Sequence, residues 1–307
     1  MPAFGANAAN AANAATGANG VPNFSHIFVL VMENKERADI IGNSAAPYIN
    51  QLATTYSQGA NNHGVSHPSL PNYLAMISGD TWGITTDCSP TDPACAFDVP
   101  SLPDQIEAAG KTWKGYMESM PAPCSLSGTT LYDIGHDPFV YFLPIKNNTS
   151  RCNSHVVNLD QLDVDLAAGM VPNFVFITPN ACHDMHNCDV SSGDQWLSGY
   201  LPRILNAPAY QQDGVLFLIW DEGTTDANTI PFVLISPLGR RGFVSNAFEN
   251  DVQQLGLRAV RPEPVAKGGQ LALAPDEQFA IEPAHGLTVG EHEPRPVVRR
   301  YRPGVNS

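Results

Sequence analysis

The stretch that decides the fold is His26-Ile27-Phe28-Val29-Leu30-Val31-Met32, closed by Glu33-Asn34. Its apolar residues run on without a polar alternate, so both faces of the strand must be covered. Three further runs read the same way: 173–178 (NFVFIT), 215–220 (VLFLIW) and 231–236 (PFVLIS). Continuous runs of this kind are what parallel strands buried on both faces require. Between them lie helix-like stretches at 46–58, 101–109 and 193–205. The alternation predicts an α/β fold, a three-layer sandwich with a mostly parallel central sheet.

Around this frame the chain has 307 residues, 43% of them apolar, enough to build a sizeable core and to exclude wholesale disorder. Lys and Arg number 16 against 30 Asp and Glu, a net charge of −14. Nucleic-acid binding draws its affinity from neutralised phosphates, so an acid excess of this size excludes it as a partner class. A single small phosphate remains compatible if a metal ion supplies the positive charge. The excess sits entirely in residues 1–250, with 9 basic and 23 acidic residues; 251–307 hold 7 of each. Residues 1–22 read as a flexible Ala/Asn-rich leader without the basic and apolar regions of a signal peptide. Residues 23–250 read as the catalytic domain, and 251–307, with seven Pro and no Trp, as an atypical, poorly ordered tail. No run of 18 uninterrupted apolar residues is present, so no transmembrane segment is expected.

Six cysteines fall into close couples, Cys88/Cys95, Cys124/Cys152 and Cys182/Cys188. The even count and loop-like surroundings favour disulfides and an exported protein, secreted or periplasmic. The C-x₂-C spacing of a structural zinc site is absent. Six cysteines allow 15 connectivities, so local pairing is a preference among them.

The residues just past the strands carry the chemistry. The first strand runs into Glu33-Asn34, the second into Pro179-Asn180 and then His183-Asp184-Met185-His186, the third into Asp221-Glu222-Gly223. In open parallel sheets ligands bind outside the carboxyl ends of the strands. One glutamate after a strand is ordinarily a solvated loop residue. Three such clusters in one chain point instead to a shared edge rich in carboxylates and imidazoles, suited to a hard or borderline divalent cation.

The remaining motif is His67-Pro68-Ser69-Leu70-Pro71-Asn72-Tyr73-Leu74-Ala75-Met76-Ile77-Ser78-Gly79. It reads as a helix with Ser69 as N-cap, Pro71 in the first turn, an apolar stripe through Tyr73, Leu74, Met76 and Ile77, and Gly79 as its stop. One reading is a capped helix and nothing more. The other makes Ser69 a nucleophile, activated by a neighbouring metal, with its target anion held at the helix N-terminus. No G-x-S-x-G elbow surrounds it, which disfavours an α/β-hydrolase.

These segments, together with His136-Asp137-Pro138-Phe139-Val140-Tyr141-Phe142 and Gly193-Asp194, resemble the bacterial acid phosphatase and phospholipase C family of phosphoesterases, within the alkaline-phosphatase-like superfamily. They run in family order over roughly residues 25–245. The resemblance implies that Glu33, Asn34, Ser69, Asp221 and Glu222 cluster around one divalent metal (Mg, Ca, Mn or Zn), with Ser69 attacking phosphorus. It also implies that His136, Asp184 and His186 serve catalysis, and that His136, His183, His186 and Asn72 face the substrate. The substrate would be a phosphate ester, with a phospholipid head group as one variant, cleaved through a phosphoserine. Mildly acidic activity would follow if a histidine near its ordinary pKa of about 6.5 must be protonated.

Several residues have bland readings that compete with these. Asp194 reads as capping its own helix through Trp196 and Leu197, and Phe139–Phe142 as core or pocket wall. His136 reads equally as a packed histidine. The histidine-bearing helix that the family places after Ser236-Pro237 is missing here, which argues for a single metal. The rival functions are a phosphodiesterase or sulfatase-like hydrolase on the same scaffold, and a degenerate relative that binds phosphate without turnover. Sulfatases need an Arg downstream of the nucleophile, and Asn72-Tyr73 stands there.

Overall fold

The computed structural model describes residues 22–250. The leader, Pro22 apart, and the tail expected over 251–307 lie outside the described residues. The strands are β1 (His26–Met32), β2 (Ser57–His63), β3 (Trp113–Met117), β4 (Val156–Asn158), β5 (Phe174–Thr178), β6 (Gly214–Trp220), β7 (Thr229–Ile235), β8 (Phe243–Ser245) and β9 (Glu249–Asn250). The helices are α1 (Arg37–Ile40), α2 (Pro47–Thr55), α3 (Ser69–Ser78), α4 (Leu102–Ala108), α5 (Leu143–Lys146), α6 (Thr149–His155), α7 (Asp160–Ala168), α8 (Val190–Leu205) and α9 (Pro208–Gln211). The strands form one sheet in the order β4-β3-β5-β1-β6-β7-β2-β8, with β9 also paired to β2.

The apolar run 26–32 is the centre of that sheet. β1 pairs in parallel with β5 on one side and with β6 on the other. Because side chains alternate along a strand, Ile27, Val29 and Val31 enter one core, where α3, α4 and the buried Phe139–Phe142 segment cover the sheet. Phe28, Leu30 and Met32 enter the other, under α2, α7, α8 and α9. Both faces are buried, and the sandwich is three-layered as expected. Burying each such side chain contributes about 1.5–3 kcal/mol.

Three local expectations change. The run at 231–236 forms β7, which pairs antiparallel with both β6 and β2. A continuous apolar run reports burial on both faces and says nothing of direction. Pro68, not Ser69, occupies the N-cap of α3, so Ser69 lies within the first turn; Gly79 ends the helix with φ +78°. Asp194 does not cap its own helix: its carboxylate accepts from the Tyr48 and Ile49 amides of α2 at 3.1 and 2.8 Å.

Disulfides join Cys88 to Cys95, Cys124 to Cys152 and Cys182 to Cys188, the local pairing. Among the described residues no helix is long and apolar enough to cross a membrane.

Candidate active site

The site is built at the carboxyl ends of β1, β5 and β6. Backbone bonds draw their loops together: the Glu33 amide donates to the Asp184 carbonyl at 2.9 Å, and the Asp221 amide to the Met32 carbonyl at 3.0 Å. Asn34 turns through φ +48°, a conformation Asn tolerates better than most residues, and its amide donates to Asp221 Oδ1 at 3.2 Å. Three segments far apart in sequence thus place Glu33, Asp184, Asp221 and Glu222 at one edge, all buried.

Glu33 is the centre of this group. Its Oε2 accepts from Ser69 Oγ at 3.2 Å and from Asn34 Nδ2 at 3.1 Å. Its Oε1 accepts from the Tyr73 hydroxyl at 2.6 Å and lies 3.2 Å from His136 Nε2. The other nitrogen of His136, Nδ1, lies 3.4 Å from Asp184 Oδ2. Tyr73 stacks flat on the His136 ring, with centroids 5.2 Å apart and an interplanar angle of 5°. Helical periodicity makes Tyr73 one member of an apolar stripe. Its ring does pack in the core, and its hydroxyl reaches through to the site.

Electrostatically the edge is under-neutralised. Burial, then the charges of Asp221 and Asp184, push the Glu33 carboxyl well above its ordinary value. Burial and the neighbouring Glu222 raise Asp221 to about 7, and burial raises Glu222. Burial works to lower the His136 imidazole, but Asp184 together with the charges of Asp133 and Asp221 outweighs it and the net shift is upward. Among the described residues, Asp221 Oδ2 is buried without a hydrogen-bond partner. A carboxylate oxygen in that condition, among like charges, fits a bound cation.

Ser69 opens α3 with its Oγ also 3.4 Å from Glu222 Oε1. The second oxygen of Glu222 is held by His67 Nδ1 at 2.5 Å, so His67 aims that carboxylate at the serine. The Leu70 amide at the same helix end is taken by Asp87 Oδ1 at 3.0 Å, which removes it from anion binding. Asn72 is a correction: expected to face the substrate, it is wholly buried. Its Oδ1 accepts from the Val65 and Ser66 amides and its Nδ2 donates to the Ser66 and Pro68 carbonyls. With every hydrogen-bonding group engaged, Asn72 shapes the turn before the serine.

The loop after β5 brings Asp184 and His186 to the group. Asp184 Oδ1 accepts from the His186 amide at 2.7 Å, and the His186 ring lies 5.7 Å from that of His136. His183 turns elsewhere: Nδ1 sits 2.9 Å from both Glu118 oxygens and its ring stacks on Trp196. Glu118 escapes the sequence reading. It follows β3 as Glu33 follows β1, and the same strand-then-carboxylate signal would find it if the short, mixed run WKGYM were read as a strand.

Among the described residues, the three ligand-bearing side chains that converge closely enough to hold a metal ion are Glu33, His136 and His186, with ligand atoms within 4.8 Å of one another. This grouping shares only Glu33 with the ligand set the sequence suggested.

Comparison with known proteins agrees with this architecture. A profile of the phosphoesterase family matches residues 42–255. A phosphatidylinositol-3-phosphatase of Mycobacterium tuberculosis is 32% identical over 228 residues, 72% of this chain and 72% of that protein. An acid phosphatase of Aspergillus fumigatus is 29% identical over 210 residues, 66% of this chain but only 45% of the fungal protein, so the chain spans about half of that relative. Among solved structures, a protein in the alkaline phosphatase superfamily from Vibrio parahaemolyticus superposes with a TM-score of 0.53 at 12% identity, covering 76% of this chain and 65% of that one. That likeness bears on the fold.

Proposed function

The chain belongs to the phosphoesterase family, hydrolases of phosphoric ester bonds, and on that ground we propose that it cleaves phosphate esters with Ser69 as nucleophile and a phosphoserine intermediate. The observation that carries this reading is the Ser69 hydroxyl donating to Glu33 and facing Glu222 inside a buried nest of carboxylates. A serine there is a poor structural choice and a good nucleophile, because both proton acceptors are already in hydrogen-bond reach.

The residues then divide the work. Ser69 passes its proton to one of the two carboxylates as Oγ bonds to phosphorus and the ester P–O bond breaks. The departing alkoxide takes a proton from His136 or His186 and leaves as the alcohol; such general acid help contributes about 10²–10⁴-fold. Asp184 holds His136 oriented and favours its charged form. Water then attacks phosphorus and gives a proton to the histidine that lost one, the P–Oγ bond breaks, inorganic phosphate leaves, and Ser69 recovers its proton from the carboxylate. A single divalent ion (Mg, Ca, Mn or Zn) held by Glu33, Asn34, Ser69, Asp221 and Glu222 would, when bound, lower the serine hydroxyl's pKa and neutralise phosphate oxygens. The unpartnered Asp221 Oδ2 supports that ligand set, which leaves His136 and His186 free to donate protons; the Glu33–His136–His186 convergence supports a rival set, in which those histidines would hold the ion and not act as the acid. The catalytic unit is residues 23–250, and its three disulfides support an exported enzyme, secreted or periplasmic.

The test is hydrolysis of para-nitrophenyl phosphate, its bis-ester, and vesicles carrying phosphatidylinositol phosphate or phosphatidylcholine, each with and without chelator. The arms separate monoesterase, diesterase, lipid-phosphate and phospholipase C activities. Chelator-sensitive release supports the reading, and turnover of none of the substrates overturns it.

A further inference from the structure

Glu118 lies outside the proposed chemistry yet accepts hydrogen bonds from two separate elements around it. Oε2 accepts from the Asn180 amide at 2.9 Å, and Oε1 from the Trp196 indole at 3.1 Å. His183 Nδ1 stands 2.9 Å from both oxygens. Its own backbone amide, one residue past β3, donates to the Thr178 carbonyl at 2.9 Å. A carboxylate facing Nδ1 from both oxygens suits the tautomer in which that nitrogen carries the hydrogen.

We propose that Glu118 is a positioning residue of the site, holding the loop at 180–188 so that Asp184 and His186 meet Glu33 and His136. The functional weight of this rests on the site reading above. With its oxygens turned to N–H donors of the loop and α8, Glu118 is assigned a holding role and not that of metal ligand or substrate contact. It acts on the loop from both ends of a short path. Asn180 in turn accepts, through Oδ1, from the Cys182 and His183 amides, and its carbonyl from the Asp184 amide. The helix side is equally tight: the His183 ring lies against Trp196 at 5.7 Å, and a Cβ on Gly193 would stand 2.8 Å from the His183 carbonyl oxygen. The loop is therefore pressed onto α8, pinned to Glu118, and closed on itself by Cys182–Cys188.

A matched control exists at the other end of β3. There Glu107 accepts from the Trp113 indole at 2.7 Å and Arg151 Nε at 2.9 Å, the same carboxylate–indole pairing away from the site. Full-length wild type, E118A, E118Q, W196F and E107A are compared by steady-state kinetics on para-nitrophenyl phosphate, by thermal unfolding, and by amide hydrogen exchange. E118A is expected to lose about 10–100-fold in kcat, as outer-shell carboxylates usually do, with little change in KM. It should also speed exchange at 180–188 while the sheet stays protected. E118Q keeps one accepting oxygen and should fall between, as should W196F, which keeps the ring but loses the N–H. E107A should lower the melting temperature and leave kcat within about twofold. If E118A does not fold, E118Q and W196F carry the comparison. Matching kcat in the Glu118 and Glu107 variants, or unchanged exchange at 180–188, overturns the proposal. If wild type hydrolyses nothing, the function falls, and exchange at 180–188 still decides whether Glu118 holds the loop.

Discussion

Ser69 Oγ lies 3.2 Å from Glu33 Oε2, a hydrogen bond joining the first turn of α3 to the residue just past β1. With the Tyr73 hydroxyl on Glu33 Oε1 at 2.6 Å, it is one of two bonds that make the helix motif and the strand motif one site. It also fixes the serine rotamer, since a hydroxyl donating to a buried carboxylate has little freedom to turn away. Ser69→Ala should therefore reduce turnover by at least about 10³-fold, the scale expected when a nucleophile is removed. Alanine is at home in a helical turn, so the melting curve should stay close to wild type. Initial rates on para-nitrophenyl phosphate alongside circular dichroism check both halves. Full turnover in a folded variant sinks the nucleophile assignment.

The carboxylate nest gives the second prediction, on metal removal. Glu33 is pushed upward by burial and by Asp221 and Asp184, which means that the folded chain without a cation holds mutually repelling groups. A divalent ion bound only by the folded state stabilises by about 2.7 kcal/mol at a hundred times its Kd. Chelation should therefore lower the melting temperature of wild type and metal should restore it. Glu33→Gln should flatten this response, remain at least as stable as wild type in chelator, and lose activity. Differential scanning fluorimetry with graded metal reads all of it; an unchanged metal response in Glu33→Gln would remove Glu33 from the ligand set.

How much of this was legible in the chain varies by physical cause. β1, β5 and β6 were readable because burial on both faces leaves a continuous apolar run, and their terminal carboxylates marked the edge. β2, with the sequence SQGANNH, was invisible: it is only partly buried and takes its place by backbone pairing with β7, β8 and β9. The direction of β7 was hidden for a related reason, since hydrophobicity carries no polarity. In the site, residue types at strand ends announced Glu33, Asp184, Asp221 and Glu222. The roles of Tyr73, Asn72 and Glu118 depend on which atoms face one another across distant elements, and no spacing encodes that. Tyr73 looked like core because most of its ring is.

A third prediction concerns acid stability away from the site. Asp165 accepts from Lys114 Nζ at 2.6 Å, the Tyr116 hydroxyl at 2.7 Å and Gln161 at 2.9 Å. Burial alone would raise its pKa, but these donors outweigh it and the folded value is lowered. With the folded value below the unfolded one of about 3.9, the stability from this carboxylate is present above that pH and lost as pH falls through the lower folded value. Asp165→Asn should therefore cost most near neutrality and progressively less in acid. Urea midpoints of the two proteins should draw together as pH falls below the unfolded value of about 3.9. Parallel midpoints at all pH values exclude the linkage.

The last prediction separates the disulfides by what each closes. Cys124–Cys152 spans 28 residues and ties the loop after β3 to α6; Cys182–Cys188 spans only 6. If the crosslinks act by restricting the unfolded chain, removing the first should cost about 3.6 kcal/mol and the second about 2.2 kcal/mol. Activity should rank the other way. The short crosslink encloses His183, Asp184 and His186, so the double variant Cys182→Ser, Cys188→Ser should lose more turnover despite losing less stability. Cys124→Ser, Cys152→Ser should unfold more readily and keep its kcat when assayed well below its melting temperature. Paired denaturant titrations and kcat measurements decide it. The same ranking in both would mean that the 182–188 crosslink acts on the fold alone and does not hold the site in register.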